Sequence, residues 1–567
     1  MAPAARPQAP DAGATALARS GLPDGVSWWG EPGRPGWLPE AWLGTACPAS
    51  LAGLVVGGWR LEEPDRAPGA LPWPGVVPAR SPLAWYDSLE VSADGGAAWA
   101  GFDGALAELR GTAVPGGRRA RSTFALANGS HALDEYSLTL ARGDTLKDAG
   151  VDVMSGTRGA GGGFEAAGRH LWGVRSRVRR GGQRIEASFA QRGAAGRLEG
   201  GEEEAASGRS GTVAWSLRRG DLGYRLGFTR GLDRHESFGG LLGFSAREAQ
   251  ETRLTAETER VRGERELAVR VQWSDAAVTR FSSGAFARQA RSLWGAMRGV
   301  MPVAGGRLEV AVGLGRHDGV KRLEAVPSAA FSARRHGVDA TVSLDRLVAP
   351  VWTDLAPGVE PFLQRAWVAT VKAATVDSQA WHVRGSLRGG RVYSRALADR
   401  LPLEELWLRS GLRPEYGTYD FALIEGGLEW EDRHADAGVE GFGLAHRSTV
   451  LPAGVARGPR ADPDVGFRAW AGGRTMLFGG DLGVGVRVLA EGVGAREADF
   501  GGLRRLPAFV TFSLEGNLVL GDATVGIRAR NLEDRARELP WWDSSTGLPA
   551  TAGSRDLRIT LVWRLFN

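Results

Sequence analysis

The chain closes on "RDLRITLVWRLFN", residues 555–567. Leu557, Ile559, Leu561, Trp563 and Leu565 alternate with Asp556, Arg558, Thr560, Val562 and Arg564. Period-two alternation puts the first set on one face of a β-strand and the second on the other. The apolar face needs an apolar neighbour. The core of a soluble sandwich would serve, and so would the hydrocarbon of a bilayer.

The same pattern recurs from about residue 119 onward. Leu222, Tyr224, Leu226 and Phe228 alternate with Gly223, Arg225, Gly227 and Thr229. Leu267, Val269, Val271 and Trp273, then Leu308, Val310, Val312 and Leu314, repeat it, as do Val338, Ala340, Val342 and Leu344. No charge falls on these apolar faces. A charge there would cost about 2–4 kcal/mol at the middle of a bilayer, so a membrane barrel must keep that face clean. Connections of two to five residues, such as "GGQ" near 181, "RGD" near 220, "HG" near 336 and Gly521–Asp522, alternate with long ones at 193–209, 232–246, 388–416, 448–462 and 532–554. This is the pattern of an up-and-down antiparallel barrel with tight turns at one end. The expected fold is therefore all-β, a transmembrane antiparallel barrel of about 22 strands. A propeller would repeat a blade motif every 40 to 50 residues, and no such motif is found. A soluble all-β enzyme or binding protein remains the rival class.

Composition narrows the function. The 567 residues carry a net charge of +5, scattered and without a basic run, so nucleic acid is not an expected partner. The one cysteine, Cys47, rules out a disulfide framework and a thiolate zinc site. The eight histidines form no His-x-His or His-x-x-x-His pair, so no metal site is expected. No Gly-x-Ser-x-Gly elbow occurs. "GTRGAGGGFEAAG" and Glu202–Glu204 read as outer loops. No cofactor and no catalytic residue are expected, and the chain does not read as an enzyme. No apolar run reaches the length of a transmembrane helix. The N-terminus shows no signal peptide, which taken alone argues for the cytoplasm.

The C-terminal stretch "VGIRARNLEDRARELPWWDSSTGLPATAGSRDLRITLVWRLF" resembles the end of TonB-dependent outer-membrane receptors. In that family the penultimate strand runs into Asn-Leu-x-Asp, here Asn531, Leu532, Glu533 and Asp534. A large loop and a closing strand with an aromatic end follow, here Phe566. "LVVGGWRLEEPDRAPGALP" and "YDSLEVSADGGAAWAGFDGALAELRGTAVP" are similar to the family's plug, with Leu89, Glu90 and Val91 matching its Ile-Glu-Val. "FALANGSHALDEYSLTL" resembles the opening barrel hairpin. The organisation expected is an irregular Pro/Gly-rich segment at 1–54, a partial plug-like segment at 55–116, and the barrel at 117–567. About 85 residues precede "YDSLEV", fewer than a whole plug needs, and no TonB box is recognisable. A late chain start or a reduced plug would explain both.

The resemblance implies residence in the outer membrane of a Gram-negative envelope. It also implies uptake of a scarce solute, of the metal chelate, cobalamin or glycan class, with coupling to a TonB-type protein. Further partners implied are outer-membrane lipid and the barrel-assembly machinery. A passive porin-like channel or structural barrel is the alternative. Trp215, Trp273, Trp381 and Trp563 lie on apolar faces and are expected in the interfacial aromatic belt. Trp541 and Trp542 fall in the last long loop, where they either stack on a ligand or pack the loop. The lumen-side arginines, Arg225, Arg270, Arg307, Arg487, Arg528, Arg558 and Arg564, face Glu266, Glu309, Glu491 and Glu515. They are expected to form a paired lattice on the wall, the alternative being a modest preference for anionic solutes.

Overall fold

A computed structural model describes residues 60–62, 86–92, 97–100, 108–113, 121–129, 133–144, 149–159, 164–198, 203–240, 243–281, 286–318, 322–351, 362–375, 380–393, 418–450, 464–497, 505–535, 537–542, 549–552 and 555–565. Four short elements come first: β1 (Arg60–Glu62), β2 (Tyr86–Ser92), the single helical turn α1 (Ala97–Ala100) and β3 (Glu108–Ala113). β3 lies between the other two strands, parallel to β1 and antiparallel to β2.

The long strands follow. They begin with β4 (Arg121–Gly129), β5 (Leu133–Asp144), β6 (Ala149–Gly159), β7 (Phe164–Arg180), β8 (Gln183–Leu198), β9 (Glu203–Arg219) and β10 (Leu222–Gly240). Next come β11 (Gly243–Arg262), β12 (Arg265–Phe281), β13 (Phe286–Val303), β14 (Gly306–His317), β15 (Glu324–Arg335), β16 (Val338–Val351) and β17 (Phe362–Thr375). Then come β18 (Trp381–Tyr393), β19 (Thr418–Glu431), β20 (Ala435–Val450), β21 (Val465–Leu477), β22 (Leu482–Val493) and the small pair β23 (Arg496–Glu497) and β24 (Arg505–Leu506). The chain finishes with β25 (Phe509–Leu520), β26 (Ala523–Arg530), β27 (Arg537–Trp542), β28 (Pro549–Ala552) and β29 (Asp556–Leu565).

β4 to β22, β25, β26 and β29 form one closed barrel of sequential antiparallel neighbours. The seam joins the last strand to the first, with Leu561 opposite Leu126 and Trp563 opposite Phe124. Closure leaves the ring no edge strand and no row of unpaired backbone groups. The tight turns at 181–182, 220–221, 263–264, 304–305, 336–337 and 521–522 all lie at one end. Gly181–Gly182 (φ 57° and 80°) and His336–Gly337 (φ 51° and 75°) hold two successive residues at positive φ. That is the type I′ geometry whose twist matches the flanking strands, and it explains the glycines in these turns.

The faces are inverted relative to a water-soluble protein. Leu226 (52 % exposed), Leu267 (51 %) and Ile559 (50 %) point outward, while Arg270 (1 %), Arg253 (2 %) and Glu251 (3 %) are buried inside. Aliphatic side chains on the outside are favourable only when hydrocarbon is the outer solvent. The terminal strand obeys the same rule, with Leu557, Ile559 and Trp563 exposed outward and Arg558 buried.

Several segments expected as loops are strands. β10 and β11 are 19 and 20 residues long and stay paired from Leu222↔Arg260 to Gly240↔Gly243. A bilayer needs only about 9–11 residues per strand, so their upper halves stand above the apolar band. There no face meets lipid and alternation is lost, which is why 193–209 and 232–246 read as loops. Glu203 and Glu204 belong to β9, opposite Phe238 and Ser237. The glycine-rich run at 156–168 is mostly the ends of β6 and β7. The last long loop contains a hairpin of its own, β27 with β28. The helical turn α1 was not expected at all. Cys47 and the irregular segment 1–54 lie outside the described residues.

Val312 sits on the outward face of β14, between Met297 and Pro327. Val312→Arg is expected to destabilise the barrel by about 2–4 kcal/mol, measured by urea unfolding in phospholipid vesicles. A cost near zero would contradict a lipid-facing wall.

Candidate functional site

The candidate site is the lumen, where α1 meets the wall. Ala98 and Trp99 are both buried. The carbonyl of Ala98 accepts a hydrogen bond from Trp294 Nε1 at 3.0 Å, and that of Trp99 accepts one from Arg270 Nη1 at 3.1 Å. The guanidinium of Arg270 lies 4.3 Å from the Trp99 ring centroid, and that of Arg298 lies 5.0 Å from it. Desolvated cation–π contacts of this kind are worth up to about 2 kcal/mol.

Both arginines are themselves held in place. Arg270 donates to Glu257 Oε2 from Nε (3.0 Å) and Nη2 (2.8 Å), and Arg225 approaches the same carboxylate at 3.5 Å. Arg298 pairs with Glu266, which Arg307 reaches at 3.7 Å. Two carboxylates thus fix the cations that clasp one indole. β14 contributes a gap. A Cβ on Gly313 would fall 2.0 Å from Trp294 Cζ2 and 2.6 Å from the Ala98 carbonyl oxygen. Glycine is what lets α1 approach the wall so closely.

Elsewhere in the lumen Arg528 pairs with Glu515 (2.5 Å), both named from the sequence, while Glu491 pairs with Arg468 (3.5 Å) and Arg487 with Asp436 (2.6 Å), partners not named from the sequence. Among the described residues, no group of three or more His, Cys, Asp or Glu side chains is placed to hold a metal ion. Trp99, Trp294, Arg298, Glu257 and Gly313 were not singled out from the sequence. The available signal was a lone tryptophan inside the small-residue run "GGAAWAGFDG".

The C-terminal motif builds a turn at the long-loop end. Asn531 is buried and takes φ 51°, and Asp534 takes φ 56°. Short polar side chains tolerate this left-handed region. Asn531 Nδ2 donates to the Arg535 carbonyl (2.8 Å), and its Oδ1 accepts from the Arg535 amide (3.3 Å). The Leu532 amide donates to the Phe512 carbonyl (3.0 Å), and Glu533 Oε1 accepts from the Phe512 amide (2.7 Å). Asp534 Oδ1 accepts from the Arg555 amide at 2.7 Å. The motif therefore ties β25, β26 and the approach to β29 together. It is a structural clasp.

Leu89, Glu90 and Val91 lie on β2, opposite Gly111, Arg110 and Leu109 of β3. Trp381 and Trp563 lie near the short-turn end of their strands. Trp381 packs on Trp430 at 6.5 Å, and Trp563 stands opposite Ala523. Trp273 lies toward the other end, opposite Leu254 and Leu293. Trp215 lies between these levels, opposite Ile185 and Leu226, inside the apolar band and not on its rim. Trp541 and Trp542 correct the loop assignment, since both belong to β27, with Trp542 opposite Pro549. Phe566 lies outside the described residues.

The architecture is that of known outer-membrane transport proteins. The chain is similar to the ferric yersiniabactin uptake receptor FyuA from Yersinia pestis, with a TM-score of 0.74, 10% identity, and 97% and 96% of the two chains covered. It is similar to the FrpB iron transporter from Neisseria meningitidis, at 0.71, 12%, 91% and 93%. It is also similar to the copper transporter OprC, at 0.72, 12%, 96% and 98%. No family model and no curated protein matches the sequence. The fold is thus that of the TonB-dependent outer-membrane receptors, a class of transporters and receptors.

Two substitutions test the two structural devices. Asn531→Ala removes a left-handed-tolerant residue and both side-chain bonds to Arg535, and should cost about 2–3 kcal/mol. The readout is a lower unfolding temperature of the folded, heat-modifiable band on gels. Gly313→Val should push α1 off the wall at a cost of about 1–3 kcal/mol. The Trp99 contribution, taken as the difference in emission with and without Trp99→Phe, would shift to the red and become quenchable by iodide. Unchanged emission would mean that α1 does not depend on the gap at Gly313.

Proposed function

We propose that the chain is an outer-membrane receptor and transporter that captures a scarce solute at the long-loop end and moves it inward with energy from a TonB-type partner. On this reading residues 55–116 act as a plug segment and 117–567 as the barrel. The observation that carries the reading is the clasp of α1 inside the lumen. A segment N-terminal to the barrel is bound to the interior wall by two backbone carbonyls and one indole. An open diffusion pore has no use for such a contact. A gated transporter needs one strong enough to seal the lumen and local enough to be released.

The solved structures with this fold add support. Their names give ferric yersiniabactin, iron and copper as what those proteins handle. A metal or metal chelate is therefore the first solute class to try, ahead of cobalamins and glycans. The hairpin β27–β28, which carries Trp541 and Trp542, lies in the last long connection, and the two tryptophans are the aromatic residues to test against a planar chelate. The long strands β8 to β11 raise the mouth above the bilayer on one side.

The deciding experiment is uptake. The full-length protein, expressed in an outer-membrane host lacking its own receptors, should accumulate one labelled ferric chelate or copper salt. Accumulation should stop when the host's energy-coupling protein is deleted. Uptake that survives the deletion, together with steady conductance in planar bilayers, would favour the passive channel. Recovery of the native protein in the soluble fraction without detergent would end both readings.

A further inference from the structure

The lipid-facing side of β8, β9 and β10 carries a notch. Register sets Phe189 opposite Gly211, and Gly211 opposite Arg230. On the next outward row, away from the short turns, Gln191 lies opposite Arg209, and Arg209 opposite Leu232. On the row toward the short turns stand Ala187, Val213 and Phe228. Gly211 leaves the middle of this surface without a side chain. A Cβ there would meet only the Ser188 carbonyl oxygen at 3.8 Å and Phe189 Cδ2 at 4.0 Å. The notch is therefore floored by backbone, walled by Phe189, apolar on the Val213 side and basic on the other.

Arg209 and Arg230 are exposed, and among the described residues neither has an ion-pair or hydrogen-bond partner. Arg234, two outward positions beyond Arg230 on β10, instead pairs with Glu236. Diagonal neighbours on adjacent strands stand about 7–8 Å apart, so the two guanidinium groups can converge on one phosphate. Arginine's planar fork suits that contact. The level is also right, since the apolar run of β10 ends at Phe228 and Arg230 is the next outward residue. Trp172, opposite Gln191 and 5.2 Å from the Phe189 ring, marks the same boundary with the aromatic belt expected there. Above the notch, β8 to β11 continue upward as a wall flanked by Gln191 and Gln250. A bulky saccharide headgroup can lean on such a wall, whereas a glycerol headgroup is too small to use it.

We propose that Arg209, Arg230 and the Gly211 notch form a binding site for a phosphorylated, multiply acylated saccharide lipid of the outer leaflet. A phosphate sits between the two guanidinium groups, and one acyl chain runs along Gly211 over Phe189. The site rests on the outer-membrane reading above and adds to it a specific lipid contact outside the transport path.

The test uses the full-length protein in detergent, titrated by native mass spectrometry. The probes are bisphosphorylated lipid A, its dephosphorylated form, phosphatidylglycerol and inorganic phosphate. Lipid A should bind the wild type. Affinity should fall at least about tenfold for the Arg209→Gln/Arg230→Gln double variant and for the dephosphorylated lipid. Gly211→Leu, which fills the notch and keeps both charges, should also weaken binding without lowering the unfolding temperature. Arg219→Gln/Arg265→Gln at the opposite rim should leave binding intact. Equal affinity in wild type and double variant would overturn the site. Phosphatidylglycerol or inorganic phosphate binding as tightly as lipid A would overturn the assignment to a saccharide lipid. Should the double variant fail to fold, the single variants and Gly211→Leu carry the test. A heat-modifiable membrane barrel indifferent to every variant would sink this proposal alone, while a detergent-independent soluble protein would sink the membrane reading beneath it.

Discussion

Within hydrocarbon, no water is present to satisfy a backbone amide or carbonyl, and each unsatisfied group costs several kcal/mol. That constraint makes the seam between β29 and β4 decisive. Every other pair in the ring joins barrel strands that follow one another in chain order, with β23–β24 inserted between β22 and β25 and β27–β28 between β26 and β29. The seam joins the two ends of the barrel sequence, Arg558 to Leu565 against Ser122 to Gly129. Until it forms, two strands present full rows of unpaired groups to lipid. The clasp around Asn531 and Asp534 stands at the far end of the same strands and fixes how β29 enters after its long loop. Closure and the C-terminal motif are thus one device: the turn sets register, and register sets which face meets lipid.

A closed ring of this size must then fill its interior. The wall does so with charges that neutralise one another across strands, and the N-terminal segment adds α1. Burying Arg270 and Arg298 is favourable only because Glu257 and Glu266 already hold them. Trp99 takes advantage of cations whose desolvation is offset elsewhere. The clasp therefore depends on β11 and β12 as much as on α1. Removing either carboxylate would leave a buried cation and would loosen the contact through the wall.

The sequence was most legible where one face meets lipid. The alternation of Leu222 to Phe228, Leu267 to Trp273 and Leu557 to Trp563 survives in the structure as outward side chains, and the short turns fall where the glycines fall. It was least legible above the bilayer. The distal halves of β8 to β11 extend beyond the length a bilayer needs, and β27–β28 lies in the last long connection, so no lipid face forces their residues to alternate, and they read as loops. The lumen was legible in kind and not in detail. Arg225, Arg270 and Arg307 announced a charged wall, but their partners lie on other strands at separations that no local pattern encodes. Trp99 was invisible for the same reason, because a single helical turn gains its order from the wall it touches.

These constraints act on faces, not on identities. Any aliphatic residue serves the outward face, any balanced pair serves the lumen, and glycine is demanded only at points such as Gly182 and Gly313. A barrel can therefore keep its architecture over more than nine-tenths of its length at 10–12% identity. The long-loop end is restricted by neither lipid nor ring closure. Its positions are the freest to change, so likeness at this level of identity carries the fold across and leaves any solute to be found by experiment. Arg209 and Arg230 lie between the two regimes, on the lipid-facing wall and yet charged. A side chain that breaks the rule of its own face without a protein partner is where a partner outside the chain is to be sought.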